Sequence, residues 1–215
     1  MISAKELNRL GLPDDPTKVL ASMGNYVFTT KDLVNALRED AADPDSKHDM
    51  GGNIIPWFVE RGECGVYDFQ DNDVPGSTDR DRDYWRDVGT IQSLWQANME
   101  LLERDNELNL SDRAWRIYSH STNQNPMYVA QEAQIHDSLM VDAVYVAGRV
   151  SHSLISTGVT VEDHAVVDHS VIMPGAKIGA GAAVSYAIVG ESAVVAPVAV
   201  LVGTPDDIAV VGCDE

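Results

Sequence analysis

The chain has 215 residues and a formal net charge of −19, with 34 acidic against 15 basic side chains. That balance argues against a nucleic-acid partner, which needs a basic stripe to meet phosphates, and makes the surface chiefly a device for solubility. The most apolar run, Ala193 to Val202, is too short to span a bilayer and contains Pro197. Cys64 and Cys213 stand in no metal or redox spacing, and no signal-peptide pattern opens the chain. A soluble cytoplasmic protein with reduced thiols is expected, bound to neither membrane nor nucleic acid.

In chain order, residues 19–28 read as a strand pair broken at Gly24. Thr30 then caps a helix with Leu33, Val34 and Leu37 on one face. Ala41 to Lys47 is a polar loop containing Pro44, and Asn53 to Glu60 has helical spacing with Pro56 near its start. Val66 to Phe69 alternates as a strand, and Gln70 to Asp83 is a loop dense in Asp and Arg. Thr90 opens a longer helix that carries Ile91, Leu94, Trp95, Asn98, Leu101 and Leu102 at three-and-four spacing. A linker from about 105 to 133 follows.

The remainder repeats every seventeen residues. Ile155, Ile172 and Val189 fall in step, as do Val161, Ile178 and Val195, and then Val167, Val184 and Leu201. Ala165, Ala182 and Ala199 align between them, as do Ser153, Ser170 and Ala187. Within a coil the first aliphatics are six apart, the spacing of a parallel β-helix with three short strands per turn and one inward aliphatic from each. Gly158, Gly175, Gly179 and Gly181 are expected at its tight corners. The preceding coil is shorter, since Ser138 to Met140 matches Ser153 to Ile155 at an offset of fifteen. About four coils are too few to stand alone, so the solenoid is expected to cap or dock onto another element.

Four stretches ahead of the repeat carry a resemblance: Ala21 to Phe28; His48-Asp49-Met50-Gly51 with Ile54-Ile55-Pro56; Tyr84 to Thr90; and Leu108-Asn109-Leu110 with Trp115. With the repeat behind them they resemble the sugar-nucleotide pyrophosphorylases, and among these the bacterial glucose-1-phosphate adenylyltransferases, from about Gly11 to the end of the chain. The resemblance implies an α/β plus β architecture. Residues 1–110 would be the second, sugar-binding half of a Rossmann-like nucleotidyltransferase domain, 111–133 a linker and 134–215 a left-handed β-helix. It implies the reaction of ATP with glucose 1-phosphate to give ADP-glucose and pyrophosphate, feeding glycogen synthesis. By position, it implies that Ser22 contacts glucose 1-phosphate while Tyr26, Asp49 and Trp85 line the sugar pocket. Met50 is a wall residue where the family often has Phe, and Asp87 helps to hold Mg²⁺ together with a second aspartate.

These residue types suit the chemistry. Attack of a sugar phosphate on the α-phosphorus of ATP gathers negative charge, so positioning and cation clamping outweigh proton transfer. A hard cation prefers carboxylate oxygen and water. The family's Gly-rich ATP loop, its catalytic aspartate and its Glu-Lys-Pro motif are not found; Lys5 stands near the expected offset, but Ala4 and Glu6 break that motif. The resemblance therefore implies a truncated form with no catalytic residue of its own, inactive alone. A homotetramer, or association with a full-length subunit, is the implied assembly.

Blander readings stand beside these. Ser22 could satisfy a strand end, Asp87 could flank the helix at Thr90, and Trp85 could be core. His48 reads as structural, and Asp79 to Asp83 as a solvated, self-paired run. His152 and His169, one coil apart, would stack on one face, which is the mark of a rival hexapeptide acyltransferase using a histidine base. A non-catalytic regulatory subunit and a sister enzyme acting on mannose 1-phosphate or GTP are further alternatives.

Overall fold

The computed structural model describes residues 17–82, 84–110, 112–118 and 123–212; Lys5, Asp83 and Cys213 lie outside them. The chain divides into two compact units, one ending at Tyr67 and the other beginning at Asp68. Among the described residues no helix is long and apolar enough to cross a membrane.

In the first unit, helix α1 (Thr30–Ala41) starts after an extended Thr29, one residue ahead of the expected cap, and carries Asp32 in its first turn and Arg38 in its last. Both charges oppose the helix dipole. Its buried face differs from the expected one. Ala36 is fully buried and Leu33 packs beside it, whereas Val34 and Leu37 are exposed. The small Ala36 side chain lets the helix approach Ile54 and Phe58 closely, with Phe28 and Trp57 closing the cluster. A wide turn over Met50–Ile54 leads into α2 (Ile55–Glu60), where Pro56 occupies the first turn and its missing N–H costs nothing.

None of the three strands expected in the front part forms. Residues 19–28 and 66–68 are irregular, and Phe69–Asp71 is a single 3-10 turn. Alternating side chains make a strand only when a neighbour takes the backbone hydrogen bonds. Among the described residues every strand lies between Tyr128 and Val211.

In the second unit, α3 (Ile91–Met99) begins where the sequence places it. Thr90 Oγ1 accepts from the Ser93 N–H and Ser93 Oγ accepts from the Thr90 N–H, each at 3.1 Å, a reciprocal cap. The helix continues as a 3-10 turn over Glu100–Leu102.

The solenoid follows, with three parallel sheets of five strands each. The first stacks β1 (Tyr128–Val129), β4 (Tyr145–Val146), β7 (Thr160–Val161), β10 (Lys177–Ile178) and β13 (Val194–Val195). The second stacks β2 (Gln134–His136), β5 (Arg149–Ser151), β8 (Val166–Asp168), β11 (Ala183–Ser185) and β14 (Val200–Val202). The third stacks β3 (Leu139–Met140), β6 (Leu154–Ile155), β9 (Val171–Ile172), β12 (Ala187–Val189) and β15 (Ala209–Val211). The aliphatics named from the repeat point inward, and all but the last-coil Leu201 are buried. Strand β1 precedes residue 134.

Register explains the short coil. Val129 pairs with Val146 at an offset of seventeen, Val146 with Val161 at fifteen, and Val150 with Val167 at seventeen again. Two residues are therefore missing from the corner between β4 and β5. Gly148 sits there, and a Cβ on it would overlap the backbone oxygens of Ala165 and Glu162. Gly158, Gly175 and Gly181 take positive φ as corner residues should, whereas Gly179 is required by proximity: a Cβ there would lie 2.6 Å from the Pro197 nitrogen.

One column of polar residues runs through the stack. Ser138, Ser153 and Ser170 each donate the hydroxyl to the carbonyl two residues back at 2.7 Å. Each also accepts the N–H of the matching residue one coil on: Ser153, Ser170 and Ala187, at 3.1–3.2 Å. Ser153 and Ser170 are wholly buried, so the hydroxyls satisfy amides that water does not reach. Ser170→Ala leaves the Ala187 N–H without its acceptor and is expected to cost about 1–3 kcal/mol. A lowered urea midpoint at unchanged slope is the readout; a midpoint equal to the parent's would show that the ladder contributes nothing.

The outer face of the third sheet is covered by α3. Leu94, Trp95, Met99 and Leu102 pack against Leu154, Val171, Tyr186, Ile188 and Ile208. Trp95 Nε1 donates to the His169 carbonyl at 2.8 Å, and Gln92 Nε2 donates to the Pro205 carbonyl. The solenoid thus does dock onto another element, and that element is α3.

Candidate functional site

In the first unit the irregular segment around Gly24 and the loop ahead of α2 bring three of the expected residues together. Gly24, at φ +78°, closes a tight turn by donating its N–H to Ser22 Oγ at 3.2 Å. The turn directs the Ser22 hydroxyl to the Tyr26 hydroxyl, 2.7 Å away. The Tyr26 ring rests near Phe28, which in turn meets the core residue Phe58. Asp49 caps the Met50–Ile54 turn, accepting the Gly52 N–H at 2.5 Å, while Asn53 Oδ1 accepts the Asp49 N–H at 3.2 Å. A Cβ placed on Gly51 would lie 3.6 Å from Asp49 Oδ1 and 3.9 Å from the Tyr26 hydroxyl. The absent side chain thus leaves a gap flanked by a carboxylate and a phenol, with a second hydroxyl behind it. Ser22, Asp49 and Met50 are exposed and Tyr26 is half-buried. Such a set reads hydroxyls: the carboxylate accepts only, and the two hydroxyls both donate and accept.

His48 is held rather than free. Its Nδ1 lies 2.7 Å from Asp40 Oδ2, and it stands at φ +56°. Hydrogen bonds from Ser46 and then His48 hold the Asp40 carboxyl below the usual carboxylate range. A lowered carboxyl pKa contributes stability that is present above the ordinary value and lost as pH falls through the lowered one. The structural reading of His48 fits this arrangement.

Trp85 and Asp87 belong to the second unit. Both are exposed, and Asp87 Oδ1 accepts the Gly89 N–H at 2.9 Å, just ahead of the Thr90 cap. Arg86, between them, was not singled out by the sequence. It reaches Glu100 at 2.9 Å and ties this loop to the 3-10 turn that follows α3. The Glu100 charge holds the Arg86 guanidinium above its ordinary pKa. The signal available was the Arg itself, bracketed by two expected site residues, although its partner fourteen residues on is not readable from spacing alone. Among the described residues no three His, Cys, Asp or Glu side chains gather as a metal cage. A lone exposed carboxylate such as Asp87 suits a hard ion whose other ligands are phosphate oxygens and water.

The run from Asp79 is self-paired only in part, since Arg80 donates outside it to the Arg104 carbonyl at 3.0 Å. Arg82 meets Asp79 at 3.6 Å, and Asp81 takes the backbone N–H and hydroxyl of Thr78. His152 and His169 do stack, with ring centroids 4.6 Å apart, and the column continues through Tyr186 at 4.8 Å to Trp95 at 5.9 Å. Each imidazole Nδ1 faces a carboxylate, Asp137 for His152 and Asp168 for His169, at about 3 Å. The column supports α3 by ring packing, a structural use of both histidines.

Comparison with known proteins divides the chain at a different place from the two compact units. Residues 12–104 match the nucleotidyl transferase family, and residues 123–207 match the GlmU-like, C-terminal hexapeptide family. A glucose-1-phosphate adenylyltransferase of Corynebacterium diphtheriae is 48% identical over 187 residues, 86% of this chain and 44% of that protein. One from Streptomyces coelicolor is 49% identical over 160 residues, 74% of this chain and 40% of that protein. One from Leifsonia xyli subsp. xyli is 44% identical over 208 residues, 94% of this chain and 50% of that protein. The chain spans about half the length, or somewhat less, of these curated relatives. With its nucleotidyl transferase stretch followed by a hexapeptide β-helix, and with this identity over most of its residues, the chain belongs to the glucose-1-phosphate adenylyltransferase family.

Proposed function

We propose that the chain binds glucose 1-phosphate and serves adenylyl transfer from ATP, giving ADP-glucose and pyrophosphate for glycogen synthesis. The observation that carries this reading is the convergence of Ser22, Tyr26 and Asp49 on the gap at Gly51, within the stretch that matches nucleotidyl transferases. Asp49 would accept from sugar hydroxyls, and the Ser22 and Tyr26 pair would donate to the sugar phosphate or its ring oxygens. The carboxylate is already oriented by the Gly52 N–H, so little ordering is left for the ligand to impose. Met50 would supply apolar wall. Asp87 would hold Mg²⁺, which neutralises phosphate charge when bound.

Titration calorimetry of the 215-residue chain with glucose 1-phosphate tests the proposal. Binding should exceed that of free glucose, and Asp49→Asn should weaken it roughly tenfold or more, the worth of a hydrogen bond to a charged group. No strand-to-helix Gly-rich phosphate loop occurs in the 215 residues, so ADP-glucose formation by this chain alone is expected to be undetectable. Affinity for glucose 1-phosphate unchanged by Asp49→Asn would sink the sugar-pocket reading.

A further inference from the structure

We propose that Asp40, at the end of α1, is a positioning residue that sets Asp49 through Ser46 and His48. The proposal rests on the reading of Asp49 as a sugar ligand and deepens it. Nothing in the spacing singles out Asp40; it is one of 34 acidic residues. In the fold it is distinguished by burial and by saturation. Its side chain is 11% exposed, against 58% for the His48 side chain it holds. One carboxylate oxygen accepts the Ser46 hydroxyl at 2.5 Å and the other faces His48 Nδ1 at 2.7 Å. Ser46 Oγ in turn accepts the His48 N–H at 3.0 Å. Side chain and backbone of His48 are thus fixed to a single carboxylate.

That double hold falls on the residue that needs it. His48 stands at φ +56°, a conformation a side-chain-bearing residue keeps only where its surroundings impose it. The next residue is Asp49, extended at φ −95° and ψ 133°, whose carboxylate must meet the Gly52 N–H to cap the Met50–Ile54 turn. Return of His48 to negative φ would swing the chain direction at Asp49 and withdraw its carboxylate from the Gly52 N–H and from the space beside Gly51. α1 is a suitable anchor, because Ala36, one turn earlier, is buried against Ile54 at the far end of the same Met50–Ile54 turn. Asp40 therefore links both sides of the Asp49 loop to one rigid helix.

The chemistry requires a carboxylate. An aspartate accepts two hydrogen bonds on two oxygens at once, whereas asparagine of the same shape accepts on one and presents a donor at the other. Asp40→Asn should weaken the His48 arm, which loses its charged acceptor and persists only as a neutral bond with the imidazole tautomer switched, with almost no change in volume. Its expected effect is a loss of roughly tenfold in glucose 1-phosphate affinity, the scale of one hydrogen bond to a charged group. Ser46→Ala, which removes the other arm, should give a smaller loss in the same direction.

A double-variant cycle with Asp49→Asn distinguishes positioning from general weakening. If Asp40 acts through Asp49, the Asp40→Asn/Asp49→Asn pair binds no more weakly than Asp49→Asn alone. Multiplying losses, or an unchanged affinity in Asp40→Asn, would overturn the proposal. A second measurement needs no ligand. In Asp40→Asn the Gly52 amide should exchange its hydrogen faster while the amides of the solenoid keep theirs, and the His48 imidazole nitrogen resonances should move. If Asp49→Asn leaves glucose 1-phosphate binding intact, the sugar-pocket reading fails, and the exchange rate of Gly52 still decides whether Asp40 holds the loop. Unchanged Gly52 exchange in Asp40→Asn would end the proposal in either case.

Discussion

Ile172→Ala is expected to destabilise the β-helix by about 2–5 kcal/mol, the range for removing a buried aliphatic from a core that cannot collapse. Ile172 is fully buried and lies in register between Ile155 and Val189, with one more inward aliphatic from each of the other two sheets closing its rung. The strands on either side are fixed by parallel ladders, so the walls cannot move in to fill the gap. Ile172→Val, which removes one methylene, should cost about 0.5–1.5 kcal/mol. Urea unfolding followed by circular dichroism separates the two. A solenoid is held by neighbour contacts between coils, so the transition is also expected to broaden as the stack divides at the damaged rung. A loss below about 1 kcal/mol for the alanine variant would mean that the coil relaxes around the cavity.

Trp95→Ala should cost about 3 kcal/mol, toward the lower end of the range for large aromatics because the ring is only half-buried. Two terms are lost together: ring packing on Tyr186, and the Nε1 donation to the His169 carbonyl. Trp95→Phe keeps most of the first and removes the second, and about 1 kcal/mol is expected. Hydrogen exchange of the α3 amides is the direct measurement. Their protection should fall in the alanine variant while that of β7, β10 and β13, on another face, is retained. Equal protection in both variants would show that α3 is held by Met99 and its neighbours without the tryptophan. A freed α3 carries its own N-terminus with it, including the Thr90 cap and the Asp87 turn ahead of it.

Where sequence alone sufficed, it did so because physics leaves one solution. Three aliphatics at six-residue steps, returning after seventeen, cannot all be buried by a flat sheet or a helix, and the positions from Ile155 to Val195 are core as read. Thr90 was legible because a cap is local: donor and acceptor lie three residues apart. The failures have the opposite cause. Residues 19–28 read as a strand pair broken at Gly24 and 66–69 alternate, but a strand is a relation between segments, and the partner is not written in the segment itself. The face of α1 was misplaced because the larger Val34 and Leu37 outweighed Ala36 in the pattern, whereas close approach favours the smaller side chain. At the site, the cluster of Ser22, Tyr26 and Asp49 was found through the resemblance, since no spacing joins residues 22 and 49. Asp40 and Arg86 escaped because their role is to hold other residues, and that appears only once the chain is folded.

The missing pair of residues at the Ala147–Gly148 corner has a consequence for how such a chain can grow or shrink. From Val150 to Leu201 every inward column keeps the same count, so a seventeen-residue cassette such as 156–172 brings its own aliphatics and its own ladder serine. Duplicated or excised there, it preserves the frame of everything downstream. A segment cut across Gly148 carries fifteen residues and takes the narrow corner with it, a corner that fits only where a glycine faces the Ala165 carbonyl. The solenoid is thus a ruler with uniform divisions along its middle, a division two residues short near one end and one five residues long, between β14 and β15, near the other. Changes in its length are accommodated in the uniform middle.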